Sequence, residues 1–303
     1  MTRILITGAS GFVGTHLIRY FSDSQEVLLF GFGRKQVPGL MMLKDYKTQT
    51  LIDNEIDVVI HLAGIAHDLS NQYTPEDYYR VNYEGTRKLV DEVLGSRVSK
   101  FIFVSSIKAA LDTSSTPADE SMHPNPVTDY GKSKLQAEEY IQSLNWNGKS
   151  FYILRPVMMH GSGNKGNLNL LYRFAKSGIP FPFGAYHNQR SFHSIDNFCF
   201  IVKSVVEMNL ASGIYHLADD GFLSTVNLFE LISSAIGRKP LVLKLPIEFI
   251  AALSSMVGKK KMVSKLTEDM MVSNKKIVTA LSRTLPVGLQ EGLKKTIQSF
   301  DAK

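Results

Sequence analysis

Ile4-Leu5-Ile6-Thr7-Gly8-Ala9-Ser10-Gly11-Phe12-Val13-Gly14 carries an apolar run straight into glycines spaced three apart. The run reads as a buried strand, Arg3 to Thr7, and the apolar steps of three and four that follow read as a helix, Phe12 to Phe21. Between the two, the first glycine makes a tight turn, the second lets backbone approach a pyrophosphate, and the third lets the helix pack closely on the strand. The phosphates would meet the N–H groups and the positive dipole end of that helix. Gly8, Ser10, Gly11, Phe12, Val13 and Gly14 are therefore expected to touch a dinucleotide.

The same alternation continues down the chain. Short β-branched runs at Glu26 to Phe30, Asp57 to Leu62, Lys100 to Val104 and Ser150 to Leu154 read as strands. Helical spacing fills Pro75 to Leu94 and Tyr130 to Leu144, so the pattern is that of parallel βαβ units. We expect an α/β fold, a doubly wound and mostly parallel sheet over residues 1–155. After Arg155-Pro156 the regularity breaks at Gly161-Ser-Gly-Asn-Lys-Gly-Asn167, and later segments mix helices with short strands such as Gly213 to Leu217. Residues 156–303 are expected to form mainly a smaller substrate-binding lobe, with some segments returning to the first domain. Asp112 to Pro117, rich in serine and threonine, is expected to be an exposed loop.

Composition narrows the function. A chain of 303 residues with 44% hydrophobic and 20% charged residues can build a sizeable core, which excludes a disordered or fibrous protein. Cys199 is the only cysteine, so no internal disulfide or multi-cysteine metal site can form, and a reducing cytoplasm is the expected compartment. The start of the chain lacks the apolar length of a signal peptide. Ile247 to Val257 is short beside the roughly 20 residues a spanning helix needs, and with Lys259-Lys260-Lys261 behind it reads as a packed helix with a solvated basic end, not as stable membrane insertion. The net charge of +6 suits an anionic ligand, and no nucleic-acid-binding motif accompanies it.

Tyr130 and Lys134 stand one helical turn apart, on one face of an expected helix. An ammonium beside a phenol stabilises the phenolate and brings proton exchange closer to neutral pH, as proton transfer to or from a sugar oxygen requires. Tyr172 and Lys176 share that spacing. Context separates the pairs: Tyr130 follows a strand that ends in Ser105-Ser106 and the loop Pro124-Asn-Pro126, while Tyr172 has no serine pair upstream and reads as an ordinary helix residue. A hydroxyl at the carboxyl end of a strand lies where open α/β sheets bind ligands.

The glycine turn, Asp57-Val-Val-Ile-His61-Leu-Ala-Gly64, Asn82 in Val-Asn-Tyr-Glu-Gly85, the serine pair, Tyr130-Gly-Lys-Ser-Lys134 and Arg155-Pro156 follow the order of extended short-chain dehydrogenases. Over most of its length the chain resembles the nucleotide-sugar epimerase and reductase branch of that family. The resemblance implies Tyr130, Lys134 and Ser106 as the catalytic group, with Ser105 and Ser106 facing substrate. It implies that Leu62, Ala63 and Gly64 line the cofactor cleft with Lys134, and that Asn82 supports the loop beside it. His61, taken by itself, is expected to be a satisfied strand histidine. The segment Arg190-Ser-Phe-His-Ser-Ile-Asp196 resembles one whose arginine approaches a sugar-nucleotide diphosphate, so Arg190 is expected to contact substrate, as is Asn167. His160 stands where the family more often has tyrosine, and Ile107-Lys-Ala109 replaces a commoner alanine-valine-tyrosine run.

The cofactor reading turns on the end of the second strand. Gly31-Phe-Gly33-Arg34-Lys35 offers no carboxylate for a ribose hydroxyl, and Arg34 suits the 2′-phosphate of NADP. NADP(H) is thus favoured, NAD stays open, and a 4-keto-sugar reductase is expected ahead of a 4-epimerase holding NAD. A non-catalytic NAD(P)-binding regulator is the distant alternative. A homodimer stays open.

Overall fold

The computed structural model describes residues 1–33, 35–65, 72–164, 166–246, 248–250, 263 and 266–301. Arg34, most of the apolar stretch that begins at Ile247, and Lys259-Lys260-Lys261 lie outside the described residues. Among the described residues no helix is long and apolar enough to cross a membrane.

The chain runs β1 (Thr2–Thr7), α1 (Phe12–Ser22), β2 (Val27–Phe32), β3 (Met41–Met42), α2 (Thr48–Asp53), β4 (Val58–His61) and α3 (Pro75–Tyr78). A π-helical turn, Tyr79–Glu84, leads into α4 (Gly85–Gly95) and β5 (Lys100–Val104). After the 3-10 turn Ile107–Ala109 come β6 (Ser114–Ala118), α5 (Asp129–Ser143), β7 (Ser150–Pro156), β8 (Met158–His160) and α6 (Asn167–Ser177). The remainder holds β9 (Phe192–Ser194), α7 (Ile195–Glu207), β10 (Gly213–Leu217), α8 (Thr225–Ala235), β11 (Met270–Val272) and helices Lys275–Leu281 and Leu289–Asp301.

Seven strands form one sheet in the order β10-β7-β5-β4-β1-β2-β3, and each neighbouring pair is parallel. The period-2 alternation of a strand sends its side chains to opposite faces. Ile4 and Ile6 enter the core under α1 and α7, with Leu17, Phe21, Phe198 and Val202. Leu5 between them enters the other core, with Leu89, Val93, Phe101, Ala137 and Ile141 of α4, β5 and α5. Both faces are therefore covered, as the apolar runs predict. α7 and β10 belong to this body although they follow Pro156 in sequence. A third core gathers α6, α8 and the last helix around Phe181, Phe192, Phe229 and Leu293.

Two expectations are corrected. Pro75 to Leu94 is not one regular helix, because the π turn intervenes and brings Asn82 fully inside. Within Asp112 to Pro117, residues 114–117 are strand and not loop: β6 pairs in parallel with β11, more than 150 residues on, and a partner that distant leaves no local trace in an exposed polar sequence.

The turn after β1 is built as the glycines demand. Gly8 has φ +71°, and a Cβ there would lie 2.6 Å from Ala63 N. A Cβ on Gly14 would stand 2.4 Å from Ala9 O, so α1 sits directly on the turn it follows. Gly14→Ala should lower stability by roughly 1–3 kcal/mol, the usual cost of overpacking. Urea unfolding measures this, and an unchanged midpoint would mean that α1 can retreat from the turn.

Candidate active site

β1 is the switch point of the sheet, with β2 on one side and β4 on the other, and ligands of open α/β sheets bind at the carboxyl ends of such strands. Two segments far apart in sequence meet there. Leu62 N donates to Thr7 O at 3.1 Å, and Ala63 N lies 3.4 Å from Thr7 Oγ1, which sets Leu62-Ala63-Gly64 beside Gly8. Gly11 caps α1 with no side-chain hydrogen bond, leaving the helix start to face an anion with backbone N–H groups. Ser10 and Gly11 are exposed, Val13 packs on the core, and the Phe12 ring turns away towards Gly161 and His16.

His61 is satisfied at both nitrogens, with Thr7 Oγ1 at 2.6 Å from Nδ1 and Thr86 Oγ1 at 3.0 Å from Nε2. Thr86 donates its own proton to Asn82 O, so Nε2 of His61 carries the hydrogen and Nδ1 accepts from Thr7. Burial, with Lys134 nearby, pushes its pKa down to about 3 and keeps it neutral. The chain of bonds runs on through Asn82, which receives Ile65 N at 2.8 Å and donates to Ser133 Oγ at 3.1 Å. Ser133 in turn donates to Tyr130 O. Asn82 thus ties the loop after β4 to α5.

α5 presents Tyr130 and Lys134. Thr128 caps it by accepting Gly131 N at 3.1 Å, and a Cβ on Gly131 would lie 2.2 Å from Lys108 O. This approach seats the start of the helix against the turn Ile107–Ala109 and brings Tyr130 into a hydrogen bond with Ser106. Ser106 also caps that turn, accepting Lys108 N at 3.2 Å. Lys134 Nζ donates to Val104 O at 3.1 Å and lies 4.7 Å from the centre of the Phe103 ring. Burial brings Lys134 down to about 8. The expectation that its ammonium draws Tyr130 down is not met in this arrangement: burial raises the phenol, and the group that pulls it back is Ser106.

The other expected residues fall in three places. Ser105, expected to face substrate, is buried with its hydroxyl donated to Glu138. Arg190 is half-buried, donating to Glu268 O at 3.0 Å, and Asn167 begins α6. His160 also turns inward, with Thr296 Oγ1 at 2.9 Å from Nδ1 and Asp219 Oδ2 at 3.7 Å from Nε2. Tyr172 packs in the third core against Phe300, as an ordinary helix residue would. Sequence reasoning passed over Glu138, one turn beyond Lys134, and Thr128. The spacing of Glu138 was visible, but its burial was not.

A dinucleotide turn, a serine at the turn after β5 and a tyrosine and lysine on α5 define an enzyme of the extended short-chain dehydrogenase type. The chain belongs to the NAD dependent epimerase/dehydratase family, which it matches over residues 4–218. It is 31% identical to a UDP-glucose 4-epimerase of Vibrio cholerae over 98% of this chain and 95% of that protein. It is 28% identical to the N-acetyl-alpha-D-glucosaminyl-diphospho-ditrans,octacis-undecaprenol 4-epimerase of Escherichia coli O157:H7, over 97% and 94% of the two chains. The fold is that of the UDP-glucuronic acid 4-epimerase of Bacillus cereus solved with UDP-glucuronic acid and NAD, with a TM-score of 0.80, 20% identity and 99% of each chain covered.

Gly131→Ala tests the seat of α5. The added methyl should displace Tyr130 from Ser106 and cut turnover about a hundredfold, the scale of a misplacement near 1 Å, with the fold retained by circular dichroism. Turnover within twofold of the parent would show that the contact does not set the geometry.

Proposed function

We propose that this enzyme is a nucleotide-diphosphate-sugar 4-epimerase that holds NAD in the crevice of Gly8, Gly11 and Gly14. The Ser106–Tyr130 hydrogen bond beside buried Lys134 supports the acid–base chemistry, and the observation that carries the epimerase reading is the likeness to 4-epimerases over nearly the whole chain. Two relatives matched over nearly the full length are 4-epimerases, which favours the epimerase over the 4-keto-sugar reductase that Arg34 suggests from sequence. The crevice fits a dinucleotide: Gly8 and Ala63 leave no room for a side chain between them, and the start of α1 offers backbone donors to phosphate. Gly8, Ser10, Gly11, Phe12, Val13, Gly14, Leu62, Ala63, Gly64 and Lys134 would hold the cofactor, with Asn82 behind them. NAD, when bound, accepts a hydride from the sugar and returns it.

Tyr130 takes the proton of the sugar 4-hydroxyl as that carbon is oxidised, and gives one back when the carbonyl is reduced from its other face. A buried phenol is protonated at neutral pH, which suits the donating step; the hydrogen bond from Ser106 eases the accepting step. Ser106 also orients the reacting oxygen. Arg190 binds the diphosphate, and Asn167 lies on the same substrate lobe.

The test is to incubate purified enzyme with UDP-glucose and with UDP-N-acetylglucosamine, without added cofactor, and follow the 4-epimers by proton NMR. Interconversion, with NAD retained in native mass spectra, is expected; a requirement for stoichiometric NADPH and a 4-keto sugar would restore the reductase. Tyr130→Phe should lose about a hundred- to ten-thousand-fold in turnover while keeping NAD, the range of general acid–base catalysis. Near-normal turnover in that variant would remove Tyr130 from the mechanism.

A further inference from the structure

Beneath the candidate site lies a buried ion pair that the proposed chemistry leaves unused. Glu138 of α5 and Arg155 of β7 are 0% and 1% exposed. Arg155 Nε reaches both carboxylate oxygens, at 3.1 and 3.0 Å, and Nη2 reaches Oε2 at 2.5 Å. Ser105 donates to Oε1 of Glu138, and His216 Nε2 of β10 lies 3.4 Å from Arg155 Nη1. Burying such a pair is costly, and apolar residues of similar volume often serve stability as well or better. Its place in the fold accounts for it. Ser105 directly precedes Ser106, and Glu138 lies one turn beyond Lys134 on the same helix.

We infer that Glu138, clamped by Arg155 and Ser105, is a positioning residue that fixes the end of β5 against α5 and so sets Ser106, Tyr130 and Lys134 in register. The clamp joins β5, α5 and β7 at one carboxylate. Rotation of α5 or slippage of the serine turn would break a charge-assisted bond inside the protein, where no water replaces it. The carboxylate also acts at a distance. It opposes the effect of burial on Lys134, holding the ammonium charged to higher pH than burial alone would allow. The other titratable groups facing this cluster are His61, Tyr130 and His216, and burial pushes His61 and His216 down to about 3 and about 4, so both are neutral at pH 7.

The inference rests on the proposed roles of Tyr130 and Lys134, and the experiment separates the two. Glu138→Gln, Ser105→Ala and the double variant Glu138→Met/Arg155→Met are compared with the parent for kcat, KM, thermal midpoint and pH profile, with Tyr130→Phe run alongside. Glu138→Gln should lose about a hundredfold in kcat with KM within threefold. Its alkaline limb should move down by about one pH unit, because Lys134 loses the charge that keeps it protonated. Ser105→Ala, which keeps the ion pair, should lose several-fold in kcat with its thermal midpoint near that of the parent. The double variant leaves no orphaned charge, so it should fold stably and still have low kcat. Should Tyr130→Phe abolish turnover while a folded Glu138→Gln or the double variant keeps parental kcat and alkaline limb, the positioning role is overturned and the proposed chemistry stands. If Tyr130→Phe keeps turnover, the proposed chemistry itself fails, and the positioning role fails with it.

Discussion

A parallel strand covered by helices on both faces must bury every side chain it carries, and that constraint organises this protein. β1 alternates Ile4, Leu5 and Ile6 between two apolar cores, and β4, β5 and β7 do the same around it. With both faces closed, a ligand can be met only at the ends of the strands. β1 and β4 stay paired to their carboxyl ends, and β1 is the switch point of the sheet, the place where open α/β sheets bind ligands. The residues that end these strands are polar, and being buried they must find partners. Thr7, His61, Thr86, Asn82, Ser133 and the carbonyl of Tyr130 do so as one continuous series of hydrogen bonds. The dinucleotide turn and the helix with the candidate proton donor are thereby parts of one rigid arrangement.

Burial sets the electrostatics of that arrangement more than any single neighbour does. It raises the phenol of Tyr130, lowers the ammonium of Lys134 to about 8, and keeps His61 neutral. An ammonium in that range is still mostly charged at neutral pH, so Lys134 can act as a cation at the site while its own environment disfavours one. The compensation comes from Val104 O, from the face of the Phe103 ring and from Glu138 one turn away. Each of these is supplied by the sheet or by α5, and none by the small lobe. The groups that set the charge state of Lys134 thus all belong to the body built on the seven-stranded sheet.

Reductases and epimerases of this family need the same acid–base group, so the Ser–Tyr–Lys arrangement does not choose between them. Arg34 and the lack of a carboxylate after β2 bear on one ribose substituent only. The full-length likeness to 4-epimerases weighs the whole chain and points the other way. The His160 imidazole is folded inward onto Thr296 and Asp219, so its side chain serves the contact between β8 and the last helix.

The sequence by itself determined the doubly wound sheet, the glycine turn and the placing of Tyr130 and Lys134 one turn apart on one helix, because each rests on local periodicity or on spacing within one element. Gly8, Gly14 and the strand ends could be read without a partner in view, since the backbone geometry they need is written within a few residues. Tertiary structure alone decided that Ser105 points to Glu138 while Ser106 meets Tyr130, that Asn82 sits in a π turn, and that β6 finds β11. It also decided that burial, and not Lys134, governs the phenol. The physical reason is common to all four: burial and long-range pairing depend on residues far along the chain, and a side chain's charge state depends on how much water those residues exclude.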